Sequence, residues 1–217
     1  MIEVIVQKVT DILGHKFSSL PNDDLVGMEF RVEELEKFLY SESSNEVRVF
    51  GISGMGGVGK TTLVRALYER ICHQYDFTCY IDDVNQIYGD SSTLGVQKQL
   101  LSCSLNEKYE EICNVSEGTY LIWKRLQRKK ALIVLDNVDE VEQLKVFSGN
   151  RDTMLRDCLG RGSIIIIISR DEQILRIHGV DEVRHVQPLE EEEAVQLFCR
   201  HAFKANVIMS DFEKVTN

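Results

Sequence analysis

The chain has 217 residues, 43% apolar and 28% charged, the balance of a soluble globular protein holding one generous domain or one domain and part of another. Its formal net charge of −10 argues against a nucleic-acid-binding surface, which is expected to be basic. No apolar run approaches the roughly 18 residues that span a bilayer, and residues 1–6 lack the basic start and small-residue cleavage site of a secretory signal.

Ile2, Ile5, Val6, Val9, Ile12 and Leu13 recur at helical spacing and predict an amphipathic helix over 2–14. The polar, Pro-containing stretch 18–24 reads as a turn-rich linker from that helix to the main body. Val32, Leu35 and Leu39 mark a second helix, supported by Glu33 and Lys37 four residues apart.

An apolar run over 47–53 then leads into Gly54-Met55-Gly56-Gly57-Val58-Gly59-Lys60-Thr61-Thr62, of the form G-x-x-x-x-G-K-T. Glycines allow successive backbone N–H groups to wrap phosphates, a lysine brings a point charge toward the β/γ-phosphates, and the Thr61 hydroxyl can ligate Mg²⁺. Leu63, Leu67 and Ile71 predict a helix over 61–73 whose N-terminus faces the same phosphates. Gly54, Gly56 and Gly59 also satisfy G-x-G-x-x-G, the dinucleotide fingerprint, with Asp82 and Asp83 late candidates for its acidic residue. Lys60 and Thr61 favour the triphosphate reading, because a dinucleotide site needs neither a cation nor a metal-binding hydroxyl there.

Further along, 77–82, 131–135, 164–169 and a weaker 183–186 read as strands, with helical stretches around 94–105, 117–130 and 171–177. The runs 131–135 and 164–168 are continuously apolar, as strands become when helices cover both faces of a parallel sheet. The first of these ends in Asp136, placed to hold Mg²⁺; the second ends in Ser169-Arg170, where a guanidinium could sense a γ-phosphate. The fold expected is a doubly wound α/β P-loop NTPase domain with its ligand at the carboxyl ends of the strands. After Pro188, Glu190 to Glu193 begin a helix whose acidic first turn suits the positive end of its dipole. The pattern stops in mid-helix at Asn217, so a piece of a longer protein is expected, divided as linker helix 1–22, nucleotide-binding domain 23–188 and the start of a small helical domain 189–217. Cys72, Cys79, Cys103, Cys113, Cys158 and Cys199 show no metal spacing and are expected to be reduced thiols of a cytoplasmic protein.

The glycine loop at 54–62, Leu135-Asp136-Asn137-Val138-Asp139, the segment 162–170 and Leu189…Glu193-Ala194…Leu197-Phe198…Ala202-Phe203 together resemble the NB-ARC domain of plant disease-resistance receptors. Asp139, together with Asp24-Leu25-Val26-Gly27-Met28 and the helix before it, resembles the branch that carries an N-terminal TIR domain. The resemblance covers nearly the whole chain. It implies a signal-transduction ATPase that switches between an ADP-bound resting and an ATP-bound active state, with possible oligomerisation on activation. It also implies TIR and leucine-rich-repeat domains elsewhere in the full-length protein. Val26, Gly27 and Met28 would contact the adenine side. Gly54, Gly56, Gly57, Val58, Gly59, Lys60, Thr61 and Thr62 would hold the phosphates, Thr61 and Asp136 would serve Mg²⁺, and Arg170 would report the γ-phosphate. The family usually has two acids after the apolar strand, and Asn137 stands in the second place, so hydrolysis is expected to be weak at most. The Gly-Leu-Pro-Leu and Met-His-Asp motifs that close the family's pocket are not in this sequence. Two other readings stay open: an ordinary P-loop ATPase or kinase, and an interaction fragment that does not bind nucleotide.

Overall fold

The computed structural model describes residues 26–40, 46–103, 112–146 and 159–203. The expected helix at 2–14 and linker at 18–24 lie outside them. In chain order the elements are α1 (Met28–Leu39), β1 (Arg48–Ser53), α2 (Lys60–Ile71), β2 (Phe77–Ile81), α3 (Val84–Ser102), α4 (Val115–Leu126), β3 (Ala131–Leu135), β4 (Ile164–Ile168), α5 (Glu172–Ile177), β5 (Glu182–His185) and α6 (Glu191–Phe203). Contacts divide the chain into two compact units, Glu33–Pro188 and a second made of Met1–Val32 with Leu189–Asn217.

The larger unit is built on a five-stranded sheet in the order β2-β3-β4-β1-β5. All four pairings are parallel. The chain lays β2, β3 and β4 side by side, then crosses β1 to place β5 on its far side. A change of strand order of this kind opens a crevice at the carboxyl ends of the strands. Every residue of β1, β3 and β4 is buried, which explains why Ala131–Leu135 and Ile164–Ile168 read as unbroken apolar runs. A Cβ at Gly51 would lie 2.9 Å from the Leu175 side chain, so glycine in β1 is what lets α5 close onto the sheet. Arg48, although buried, is satisfied: its guanidinium donates to the Leu39 carbonyl at 2.9 Å and to Glu182 at 3.0 Å.

Two expectations need correcting. Helix α3 starts at Val84, ten residues before the expected start at 94, and bends at Ser92, whose φ of 54° and ψ of −159° are not helical. Gly89, Asp90, Ser91 and Ser92 are weak helix formers and hid its first half from periodicity. Cys79 on β2 and Cys103 just after α3 are joined as a disulfide, with Cα atoms 5.6 Å apart, instead of being free thiols. Their separation of 24 residues gave no pairing signal; packing of α3 against β2 brings them together. Among the described residues Cys72, Cys113 and Cys199 are free.

In the second unit, α6 carries Glu191, Glu192 and Glu193 in its first turn, where negative charge meets the positive end of the helix. Arg31 donates to Glu193 at 3.1 Å, and Gly27 adopts a φ of 65° against the same carboxylate. No helix among the described residues is long and apolar enough to cross a membrane.

Candidate functional site

A cleft of about 430 Å³ opens at the carboxyl ends of β1, β2, β3 and β4, wholly within the larger unit. Its floor is the loop between β1 and α2. Gly57 and Gly59 have φ of 78° and 97°, a left-handed backbone that favours glycine, and Gly59 immediately precedes the first turn of α2. These conformations turn the backbone of the loop around an open space and aim the free N–H groups at the start of α2 into it. Gly54, Gly56 and Val58 shape the loop, while Gly57, Gly59, Lys60, Thr61 and Thr62 line the cleft directly.

Lys60 is held over this loop by hydrogen bonds from its ammonium to the Gly54 and Met55 carbonyls, at 2.7 and 2.8 Å. Burial lowers its pKa, the positive charge of Arg170 lowers it further, and Asp136 opposes both. Arg170 follows β4 and is exposed, with its guanidinium beside Gly56, 3.8 Å from where a Cβ would stand. Two cations therefore converge on the mouth of the loop, Lys60 from the start of α2 and Arg170 from the segment after β4.

Asp136, one residue beyond β3, is buried at 5% exposure. Burial pushes its carboxyl above the usual range, while hydrogen bonds from the Thr61 hydroxyl, the Asn137 N–H and the Tyr80 hydroxyl favour the ionised form. The Tyr80 bond measures 3.4 Å. Burial and the neighbouring Asp136 charge raise the Tyr80 pKa, so this phenol stays a donor. A carboxylate and a hydroxyl are hard oxygen donors, the set Mg²⁺ prefers when phosphate oxygens and water complete its shell. Among the described residues there is no cluster of three or more His, Cys, Asp or Glu side chains suited to a metal.

The structure thus brings Lys60, Thr61, Thr62, Asp136, Asn137 and Arg170 to one cleft. Val26, Gly27 and Met28 belong to the other unit. The sequence pointed to Asp82 and Asp83 only under the dinucleotide reading; both line this cleft, with Asp82 paired to Arg65 and Asp83 facing Asn137. Ile168 and Ser169 also line it, and the strand-end position of Ser169 was the only signal for them.

A family model described as the NB-ARC domain matches residues 28–208. Among curated relatives, Disease resistance protein RPV1 of Vitis rotundifolia is 34% identical over 194 residues, covering 89% of this chain and 13% of the relative. Disease resistance protein TAO1 of Arabidopsis thaliana is 33% identical over 223 residues, covering 99% of this chain and 18% of the relative. The chain therefore spans less than a fifth of the length of either. Among solved structures, Cdc6p from Pyrobaculum aerophilum aligns with a TM-score of 0.62 at 16% identity, over 93% of this chain and 55% of that one. At that identity the likeness concerns the fold alone.

Proposed function

The chain belongs to the NB-ARC family, and from that premise we propose that it is an adenine-nucleotide-dependent switch module, ADP-bound at rest and ATP-bound when active, from a plant immune receptor. The observation that carries this reading is the convergence of Lys60, Thr61, Asp136 and Arg170 on one cleft beside the Gly54–Thr62 turn of glycines. Each group has one task there. The loop N–H groups and Lys60 would hold the phosphates, and Thr61 with Asp136 would hold Mg²⁺. Arg170 would distinguish a triphosphate from a diphosphate by pairing with the terminal phosphate. The adenine side would be met by Val26, Gly27 and Met28. Mg²⁺ would supply charge neutralisation between the outer phosphates.

Three carboxylates face this cleft against two cations, Lys60 and Arg170. Arg65 pairs with Asp82, which leaves Asp83 and Asp136 against Lys60 and Arg170, so the side chains offer a triphosphate no net positive charge and Mg²⁺ would supply it. In the full-length protein, TIR and leucine-rich-repeat segments and a cytoplasmic setting are part of the same proposal, as the family resemblance implies. Oligomerisation on activation belongs to the same proposal. The test is equilibrium binding of labelled ADP and ATP, with GTP as competitor, followed by multiple-turnover kinetics. The switch reading predicts preference for adenine and turnover far below the roughly 10 per second of an ordinary enzyme. Rapid turnover would favour a metabolic ATPase instead.

A further inference from the structure

Asp136 is followed by Asn137, where the resemblance places a second acid. An amide can accept a hydrogen bond from water but cannot take its proton. The structure supplies a carboxylate at this place from another strand. β2 and β3 pair in parallel with Ile81 opposite Leu135, so the residues two beyond each strand end, Asp83 and Asn137, come face to face. The Asn137 amide donates to Asp83 Oδ1 at 2.7 Å. Both residues sit in the left-handed region, with φ of 49° and 58°, and both line the cleft with Lys60, Thr61, Asp136 and Arg170. Aspartate and asparagine adopt that conformation more readily than other non-glycine residues, and here it turns the two side chains toward each other. The neighbouring Asp82 is engaged by Arg65, which leaves Asp83 as the carboxylate oriented by Asn137.

We propose that Asp83 is the water-orienting carboxylate of this site and Asn137 its positioning partner, so that the acid and amide stand just beyond the ends of β2 and β3 respectively. This rests on the reading of the cleft as an ATP site. In the step assigned to it, a water oxygen forms a bond to the γ-phosphorus as the bond from phosphorus to the bridging oxygen breaks, and that electron pair leaves on ADP. The water proton passes to Asp83 and from there to the released phosphate. The bonds from Asn137 and from the Gln86 N–H at 3.3 Å both fall on Oδ1, so Oδ2 is the oxygen available to the water.

Asp83 also caps α3 through that Gln86 bond, and a capping role alone would explain its place. Asp83→Asn separates the two roles, because asparagine caps a helix about as well as aspartate but takes no proton. The 217-residue chain with Mg²⁺ would be assayed for ATP affinity and for single-turnover hydrolysis of γ-labelled ATP. Asp83→Asn should leave affinity within about threefold and slow hydrolysis by at least tenfold, the low side of the roughly 10²–10⁴ that general-base help supplies. The exchanged pair Asp83→Asn with Asn137→Asp should recover most of the rate. Without nucleotide, Asn137→Asp alone sets two carboxylates together and should lower the melting midpoint by about 2–4 °C, and adding Asp83→Asn should restore it. ATP that is bound and hydrolysed by Asp83→Asn at the parent rate, or bound by the parent without hydrolysis above buffer, would overturn the assignment. So would an exchanged pair no faster than Asp83→Asn. Failure of the parent to bind ATP would instead defeat the nucleotide-site reading on which it rests.

Discussion

At the scale of single residues, the cleft assigns different tasks to groups a few ångströms apart, and their removal should produce different signatures. Asp136 is buried and accepts a hydrogen bond from Thr61, and the same carboxylate acts electrostatically on Lys60. Asp136→Asn should abolish the gain in nucleotide affinity that Mg²⁺ brings while leaving metal-free ADP binding nearly intact; affinities with Mg²⁺ and with chelator should converge. Arg170 stands at the end of β4 beside Gly56, and the proposed function gives it the terminal phosphate of ATP. A hydrogen bond to a charged group is worth about 1.5–3 kcal/mol, so Arg170→Ala should weaken ATP by roughly 10- to 150-fold and ADP far less. Equal losses for the two nucleotides would make the arginine structural. Lys60, Asp136 and Arg170 were legible in the sequence because fixed spacing and strand-end position carry their chemistry. The facing pair of Asp83 and Asn137 was not, because 54 residues separate them and only the in-register pairing of β2 with β3 brings them together.

At the scale of elements, local chemistry fixes where helices begin. Helix α4 is started by Asn114, whose side chain accepts the Glu117 N–H at 2.9 Å, while Glu117 reaches back to the Cys113 N–H at 2.8 Å. This reciprocal arrangement satisfies donors that the first turn leaves without partners. Asn114→Ala should cost about 1 kcal/mol, a drop of about 2–4 °C in melting midpoint for a chain of this size, without altering nucleotide affinity. At the end of α5, burial lowers the pKa of His178 below its ordinary 6.5. The sign follows: the unfolded chain binds the proton more tightly, so this contribution to stability is present above pH 6.5 and is lost as the pH falls below it. His178→Gln should flatten the acid side of the stability profile below pH 6.5 in denaturant titrations. An unchanged slope would show that other groups carry that dependence. The strands were read from sequence to within one residue at their ends, most sharply β3 and β4, which are buried and unbroken apolar runs. The early start of α3 was missed because its first half is polar and kinked, and the pairing of Cys79 with Cys103 depends on that helix lying over β2.

At the scale of the whole molecule, a chain of net charge −10 carries a local cradle for an anion, built from glycine backbone, Lys60 and Arg170 at the switch of a parallel sheet. The overall charge therefore says little about this ligand, since N–H groups and two cations at close range set the field within the cleft. The sheet order explains why the Gly54–Thr62 loop, Asp136 and Arg170 meet at one end of the strands. The central claim is that this cleft holds the phosphates of an adenine nucleotide, and the most direct measurement is a titration of the parent chain and Lys60→Ala with labelled ATP and Mg²⁺. Losing one hydrogen bond from a charged donor should weaken binding by roughly 10- to 150-fold. Circular dichroism and melting of both proteins would establish that the variant is folded. An affinity in folded Lys60→Ala equal to that of the parent would contradict the account, because the phosphates would then lie somewhere other than the loop that holds Lys60.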